Sequence, residues 1–191
     1  MITLYLARHG ETDGNVQQWY QGSTDVPINA HGLEQAKCLG DFFSHTHLDA
    51  VYSSTLQRAM ATAECVAAPH GLSVIPDESL KEADFGEWEG HTYEEITTKW
   101  PGELEAVYAS DGSLPARGGE SFCQVRDRIL KGTRDILSKH KDGDSVFIVS
   151  HGAALRCLLF GLLGSICVAS GASSSSIRPL MSWNITATAT S

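Results

Sequence analysis

Apolar positions along the chain follow two spacings, and these predict alternating strands and helices. Ile2 to Ala7 is a short apolar, β-prone run, the pattern of a buried strand. After Pro27-Ile28, the stretch Ala30 to Phe43 sets Leu33, Ala36, Leu39, Gly40 and Phe43 at helical intervals, with Asn29 as N-cap. Ala50 to Ser53 predicts a second strand, and Ser54 to Ala68 a helix stopped by Pro69 and Gly71. Leu72 to Ile75 predicts a short third strand. From Pro76 to Gly119 the pattern is irregular and rich in Gly and Pro, with a short helix at Thr92 to Trp100. Regularity returns in an amphipathic helix over Glu120 to His140, carrying Phe122, Val125, Ile129, Ile136 and Leu137. Ser145 to Val149 is the most strand-like run, Ala153 to Leu163 a buried helix, and Trp183 to Thr190 a last edge strand.

Strands separated by helices of this length imply right-handed βαβ crossovers, hence a mostly parallel sheet in a three-layer α/β/α sandwich. No repeat or linker divides the 191 residues, so one domain over 1–191 is expected, with a cap or insert at about 83–118. In such sheets a ligand binds beyond the carboxyl ends of the strands.

Composition narrows the partners. With 14 Lys+Arg against 23 Asp+Glu, the net charge of −9 argues against a nucleic-acid or anionic-membrane binder. An anionic ligand must then be gripped by a local group of cations. Cys38, Cys65, Cys123, Cys157 and Cys167 are odd in number, widely spaced and without a CxxC pair, as in a reduced, intracellular protein. The opening MITLYLARHG lacks a basic segment followed by an apolar one, so no secretory signal is expected and the location is read as cytoplasmic. Cys157 to Ile177 is uncharged, but six serines and three glycines interrupt it, so a buried helix and a Gly/Ser loop are expected rather than a membrane span.

Two predicted strands end in the same chemistry: Arg8-His9-Gly10 follows the first, and Ser150-His151-Gly152 the central one. A single histidine at a strand end is commonly a structural hydrogen bonder; two in like context point to one shared crevice. Arg58, near the start of the helix after the second strand, would otherwise be a solvated arginine. Together with Arg8 it can grip a dianion by charge-assisted hydrogen bonds, with helix N-termini adding backbone donors. The ligand inferred from these residues is a phosphate group.

The run Arg8-His9-Gly10-Glu11-Thr12-x-x-Asn15 resembles the signature of the histidine phosphatase superfamily, the phosphoglycerate mutase-like fold. The resemblance continues through Gln21-Gly22, Asp25-x-Pro27-x-Asn29-x-x-Gly32, Ser53-Ser54-x-Leu56-x-Arg58-Ala59-x-x-Thr62 and Leu80-Lys81-Glu82-x-x-Phe85-Gly86-x-Trp88-Glu89-Gly90. It ends in Gly119-Glu120-Ser121 and Val149-Ser150-His151-Gly152. It implies His9 as the nucleophile that forms a phosphohistidine, its other ring nitrogen donating to a backbone carbonyl. Arg8, Arg58 and His151 would hold the phosphoryl oxygens, with His151 protonated once phosphate is bound. Asn15 would bond the phosphate or leaving oxygen, with Gln21, Gly22 and the Gly152 amide at the rim. Charge alone leaves Asp84, Glu87 and Glu89 as competitors for the general acid; the family pattern selects Glu82 and makes Glu89 structural.

The function so implied is a phosphomonoesterase acting on a small phosphorylated metabolite, needing neither metal nor cofactor. A 2,3-bisphosphoglycerate-dependent mutase shares its first half-reaction, but the 38 positions from Glu82 to Glu120 leave less room than the mutase insertion. A catalytically silent phosphate-binding regulator is a third reading, although Arg8, His9, Arg58, Glu82 and His151 are all present. A His/Glu metal site would leave the paired arginines unexplained. Trp19, Tyr20, Tyr93, Trp100 and Tyr108 are candidates for a specificity wall, or equally for cap core. Ser173 to Ser176 is unusually serine-rich, and a final strand with a free edge would suit pairing into a homodimer.

Overall fold

In the computed structural model, residues 1–164 are described. Among these residues four strands, β1 (Thr3–Arg8), β2 (Ala50–Ser53), β3 (Val74–Pro76) and β4 (Ser145–Ser150), pair in the order β1-β4-β2-β3, each pair parallel. Among the described residues the α-helices are α1 (Asp13–Val16), α2 (Ala30–Phe43), α3 (Gln57–Ala67), α4 (Tyr93–Lys99), α5 (Glu103–Ala109), α6 (Phe122–Leu137) and α7 (Gly152–Leu162).

The apolar runs become a three-layer sandwich because alternate strand residues point to opposite faces. Tyr5, Ala7, Val51, Phe147 and Val149 pack with Phe43 of α2 and with Ala59, Ala63 and Val66 of α3. Leu4, Leu6, Ala50, Tyr52, Val146 and Ile148 pack on the other face with Val125, Ile129 and Ile136 of α6 and with Ala154 and Leu158 of α7. Each fully buried Val, Leu or Ile among them stabilises the fold by about 1.5–3 kcal/mol. The segment around 83–118 joins the second cluster through Trp88, Ile96, Leu104, Val107 and Ala116, so it packs continuously with the α6 side of the core.

Several boundaries differ from the sequence expectation. The helix expected from Ser54 starts at Gln57, because Ser54 still bonds the sheet through Val149 and Leu56 is extended. The third strand is displaced to Val74–Pro76, since Leu72 still closes the preceding helix and Gly71 is left-handed at φ 64°. Pro76 is tolerated there because β3 is an edge strand of the described sheet. The helix α5 falls within a stretch that the Pro101-Gly102 pair had marked as irregular. The last strand at Trp183 to Thr190, the serine-rich segment and the free edge for a second copy lie outside the described residues. No helix among the described residues is long and apolar enough to cross a membrane.

Candidate active site

The register of the sheet builds the site. Arg8 of β1 stands beside Ser150 of β4, and the His9 amide bonds the Ser150 carbonyl at 3.1 Å, one residue beyond the paired strands. His9 and His151 therefore leave adjacent strand ends together, their ring centroids 5.1 Å apart. Both are buried. The His9 Nδ1–H donates to the Gly10 carbonyl at 2.7 Å, which fixes the tautomer and leaves Nε2 with its lone pair free. Gly10 is itself held by its amide, which donates to the Thr62 hydroxyl of α3 at 3.0 Å.

His151 sits at the N-cap of α7, fully buried, with Nε2 2.8 Å from the Ser54 hydroxyl. Among the described residues its Nδ1 has no hydrogen-bond partner, and the same holds for Arg8 Nε and Arg58 Nε. Burial, then the charges of Arg8 and Arg58, holds His9 well below the ordinary imidazole range. His151 is held low by burial, then by His9, Arg58 and Arg8. The four side chains thus act on one another within a single electrostatic neighbourhood.

Arg58, expected on a helix near the sheet edge, is 1% exposed. Its Nη1 donates to the Thr24 carbonyl at 2.8 Å and its Nη2 to the Gly22 carbonyl at 2.7 Å, tying the 22–24 loop to α3. Gly22 has φ 52°, and a Cβ there would fall 1.8 Å from Glu89 Oε1, so the loop needs glycine at this point. Glu89 accepts from the amides and hydroxyls of Ser23 and Thr24, the structural place expected of it.

Among the competing carboxylates, Glu82 is set apart by its partners. Its Oε1 accepts from the amides of Ala83 and Ala154, both at 2.9 Å, and its Oε2 from that of Ala153 at 3.2 Å. It thus joins the first turn of the helix that His151 caps. It is also the acidic group that acts most on both Arg8 and Arg58. A carboxyl has about four lone-pair sites, so Oε2 keeps one on which a proton can ride. Asp84 caps the Gly86 amide instead, and Glu87 is exposed.

The rim residues come to the same loops. Asn15 Oδ1 accepts from the Thr12 amide, leaving the Nδ2 amide to donate elsewhere. Gln21 is buried, with Oε1 accepting from the Thr12 hydroxyl at 2.7 Å. Gly152 opens α7 beside Arg8: a Cβ there would stand 3.6 Å from Arg8 Nε. Of the proposed wall, Tyr20, Trp100 and Tyr108 pack against the core, whereas Trp19 and Tyr93 are exposed. The hydroxyls of Tyr20 and Tyr108 meet at 3.1 Å. Among the described residues no three His, Cys, Asp or Glu side chains are grouped to hold a metal ion. Sequence reasoning assigned no role to Ser54, Thr62 or Arg128, although the first two lie inside the motifs it quoted.

Residues 4–169 match the histidine phosphatase superfamily (branch 1). Phosphoserine phosphatase 1 of Hydrogenobacter thermophilus is 35% identical over 164 residues, which is 86% of this chain and 77% of that one. A Salmonella choleraesuis protein named "Probable phosphoglycerate mutase GpmB" is 34% identical over 166 residues, 86% of this chain and 76% of its own. The solved structure of Bacillus stearothermophilus YhfR superposes with a TM-score of 0.81 at 36% identity, covering 86% of this chain and 81% of that chain.

Proposed function

Because the chain belongs to the histidine phosphatase superfamily, we propose that it is a phosphomonoesterase that cleaves small phosphorylated metabolites through a phosphohistidine on His9, without a metal. The observation that carries this reading is the set of buried nitrogens without a partner among the described residues, Arg8 Nε, Arg58 Nε and His151 Nδ1, around an imidazole whose Nε2 is free. An unpaired buried polar group costs about 1–3 kcal/mol, and phosphoryl oxygens are the acceptors this set lacks. In the first half-reaction Nε2 attacks phosphorus, the ester P–O bond breaks, and the leaving oxygen takes a proton from the Glu82 carboxyl. In the second, water attacks the phosphohistidine, Glu82 takes a proton from it, the P–N bond breaks and phosphate leaves. Arg8, Arg58 and His151 bear the charge on the equatorial oxygens, where a dianion offsets the two arginines and favours the protonated form of His151.

The similarity to a protein named as a phosphoglycerate mutase keeps one alternative in view, in which 2,3-bisphosphoglycerate reprimes the histidine. A single panel separates the readings. Purified protein and His9→Ala are assayed with EDTA on p-nitrophenyl phosphate, O-phosphoserine and 3-phosphoglycerate, the last with and without 2,3-bisphosphoglycerate. Free phosphate and 2-phosphoglycerate are both measured. Phosphate release that survives EDTA and falls at least about 10³-fold in His9→Ala is expected. Isomerisation without release would make the protein a mutase, and silence from folded protein would make it a phosphate-binding regulator.

A further inference from the structure

The carboxyl of Glu82 is held by α7, but the backbone that carries it is held by α6. That helix turns Val125, Ile129 and Ile136 into the core and lays Arg128 and Gly132, one turn apart, along the segment that ends in Glu82. A Cβ at Gly132 would lie 1.7 Å from the Ser79 hydroxyl, so the helix backbone can come this close only without a side chain. Arg128 then gathers the segment. Its Nη1 donates to the carbonyls of Ser79 at 2.9 Å and Lys81 at 3.0 Å, and its Nη2 to that of Glu82 at 3.1 Å. Its Nε and Nη2 also grip both oxygens of Glu120, at 3.0 and 2.7 Å.

A guanidinium has five N–H donors, and these bonds use them all. Arg128 therefore has none left for a substrate. Glu120 extends the hold past the acid, its Oε2 accepting from the Asp84 amide at 3.1 Å and its own amide donating to the Asp84 carbonyl at 2.8 Å. Three carbonyl dipoles converge on one point here and repel one another unless a cation stands between them. Lysine could supply the charge but not the planar fork.

We infer that Arg128 and Glu120 are positioning residues for Glu82, fixing the chain on either side of it so that its carboxyl meets the leaving oxygen. This rests on the reading of Glu82 as general acid. Its consequence is selective. An alkyl ester expels an alkoxide, which needs the proton as the P–O bond breaks; p-nitrophenolate leaves with little help. The readout is kcat/KM, which covers the steps up to departure of the first leaving group and excludes hydrolysis of the phosphohistidine.

Glycerol 3-phosphate and p-nitrophenyl phosphate are the probes, with Arg128→Lys, Glu120→Gln and Glu82→Gln. Arg128→Lys keeps a positive charge near His151 while losing the fork. It is expected to lower kcat/KM on glycerol 3-phosphate by about 10²-fold, the scale of a misplaced proton donor, and on p-nitrophenyl phosphate by less than about fivefold. Glu120→Gln should show the same selectivity at smaller size, and serves alone if the lysine variant does not fold. Equal losses on both esters, or none, overturn the inference. If Glu82→Gln is itself unselective, the assignment of the acid falls and the positioning role falls with it. A selective Glu82→Gln beside an unselective Arg128→Lys removes the positioning role alone.

Discussion

His9 and His151 are kept uncharged by the fold, and that has a cost which can be measured. Burial first places both well below the ordinary histidine range, followed by Arg8 and Arg58 for His9 and by His9 and then the arginines for His151. In the unfolded chain each titrates near pH 6.5. Below that pH the unfolded chain binds two protons that the folded one refuses, so stability falls as pH drops below about 6.5 and is unaffected above it. Each such group costs about 1.4 kcal/mol per pH unit in this window. Between about pH 7 and about pH 5.5 the pair should therefore remove on the order of 2 kcal/mol. Urea denaturation at the two pH values checks this, with a double His9→Gln, His151→Gln variant as reference. The wild type should lose about that much more than the variant; equal losses would mean the imidazoles do not resist protonation. At this scale the sequence marks the groups with unusual chemistry and misses their supports. Ser54 and His151 are 97 positions apart, and no local pattern announces a hydroxyl whose partner is that distant.

Among the elements, α3 most tightly joins packing to chemistry. Ala59, Ala63 and Val66 enter the core, while Arg58 and Thr62, four residues apart, face the site. The Thr62 hydroxyl donates to the Arg58 carbonyl at 2.8 Å and accepts the Gly10 amide, whose residue in turn orients His9. Thr62→Val keeps the shape and removes the acceptor, leaving a buried N–H unpaired at a cost of about 1–3 kcal/mol. A fall in Tm of several degrees is expected together with a loss of kcat, both recovered in Thr62→Ser. A Val variant that melts with the wild type would show that Gly10 is held by other means. The helical spacing of α3 is plain in the sequence; its start is not. Ser54 to Leu56 reads as helical by composition, yet Ser54 is recruited by the sheet and by His151, tertiary bonds that outweigh local preference. The opposite holds at α2, where the Asn29 side chain accepts the Gly32 amide at 2.8 Å and the boundary follows from local chemistry alone.

Taken as a whole, the molecule carries a field opposed to its proposed ligand. The net charge is −9, while Arg8 and Arg58 are concentrated where β1 and α3 meet the site. The two act over different ranges. At about 0.01 M salt the screening length is about 30 Å, so an approaching dianion feels the whole acidic surface; at about 0.1 M it is about 10 Å. Contacts with buried guanidiniums are screened far less than that long-range repulsion. Adding a salt without phosphate-like anions should therefore raise kcat/KM for a dianionic ester by a factor of about 2–10 over this range, the lower reach of electrostatic rate effects. Nucleic-acid binders and electrostatically steered enzymes show the reverse, a fall with salt. A steady fall here would mean that the local cations dominate the field at the mouth of the site as well as within it. The sign expected of that response follows from the charge count. The sandwich was legible in strands apolar on both faces, and the meeting of His9 and His151 in two histidines at parallel strand ends. The size of the response was not, because it depends on where the excess carboxylates lie relative to the crevice, and that is set by the fold.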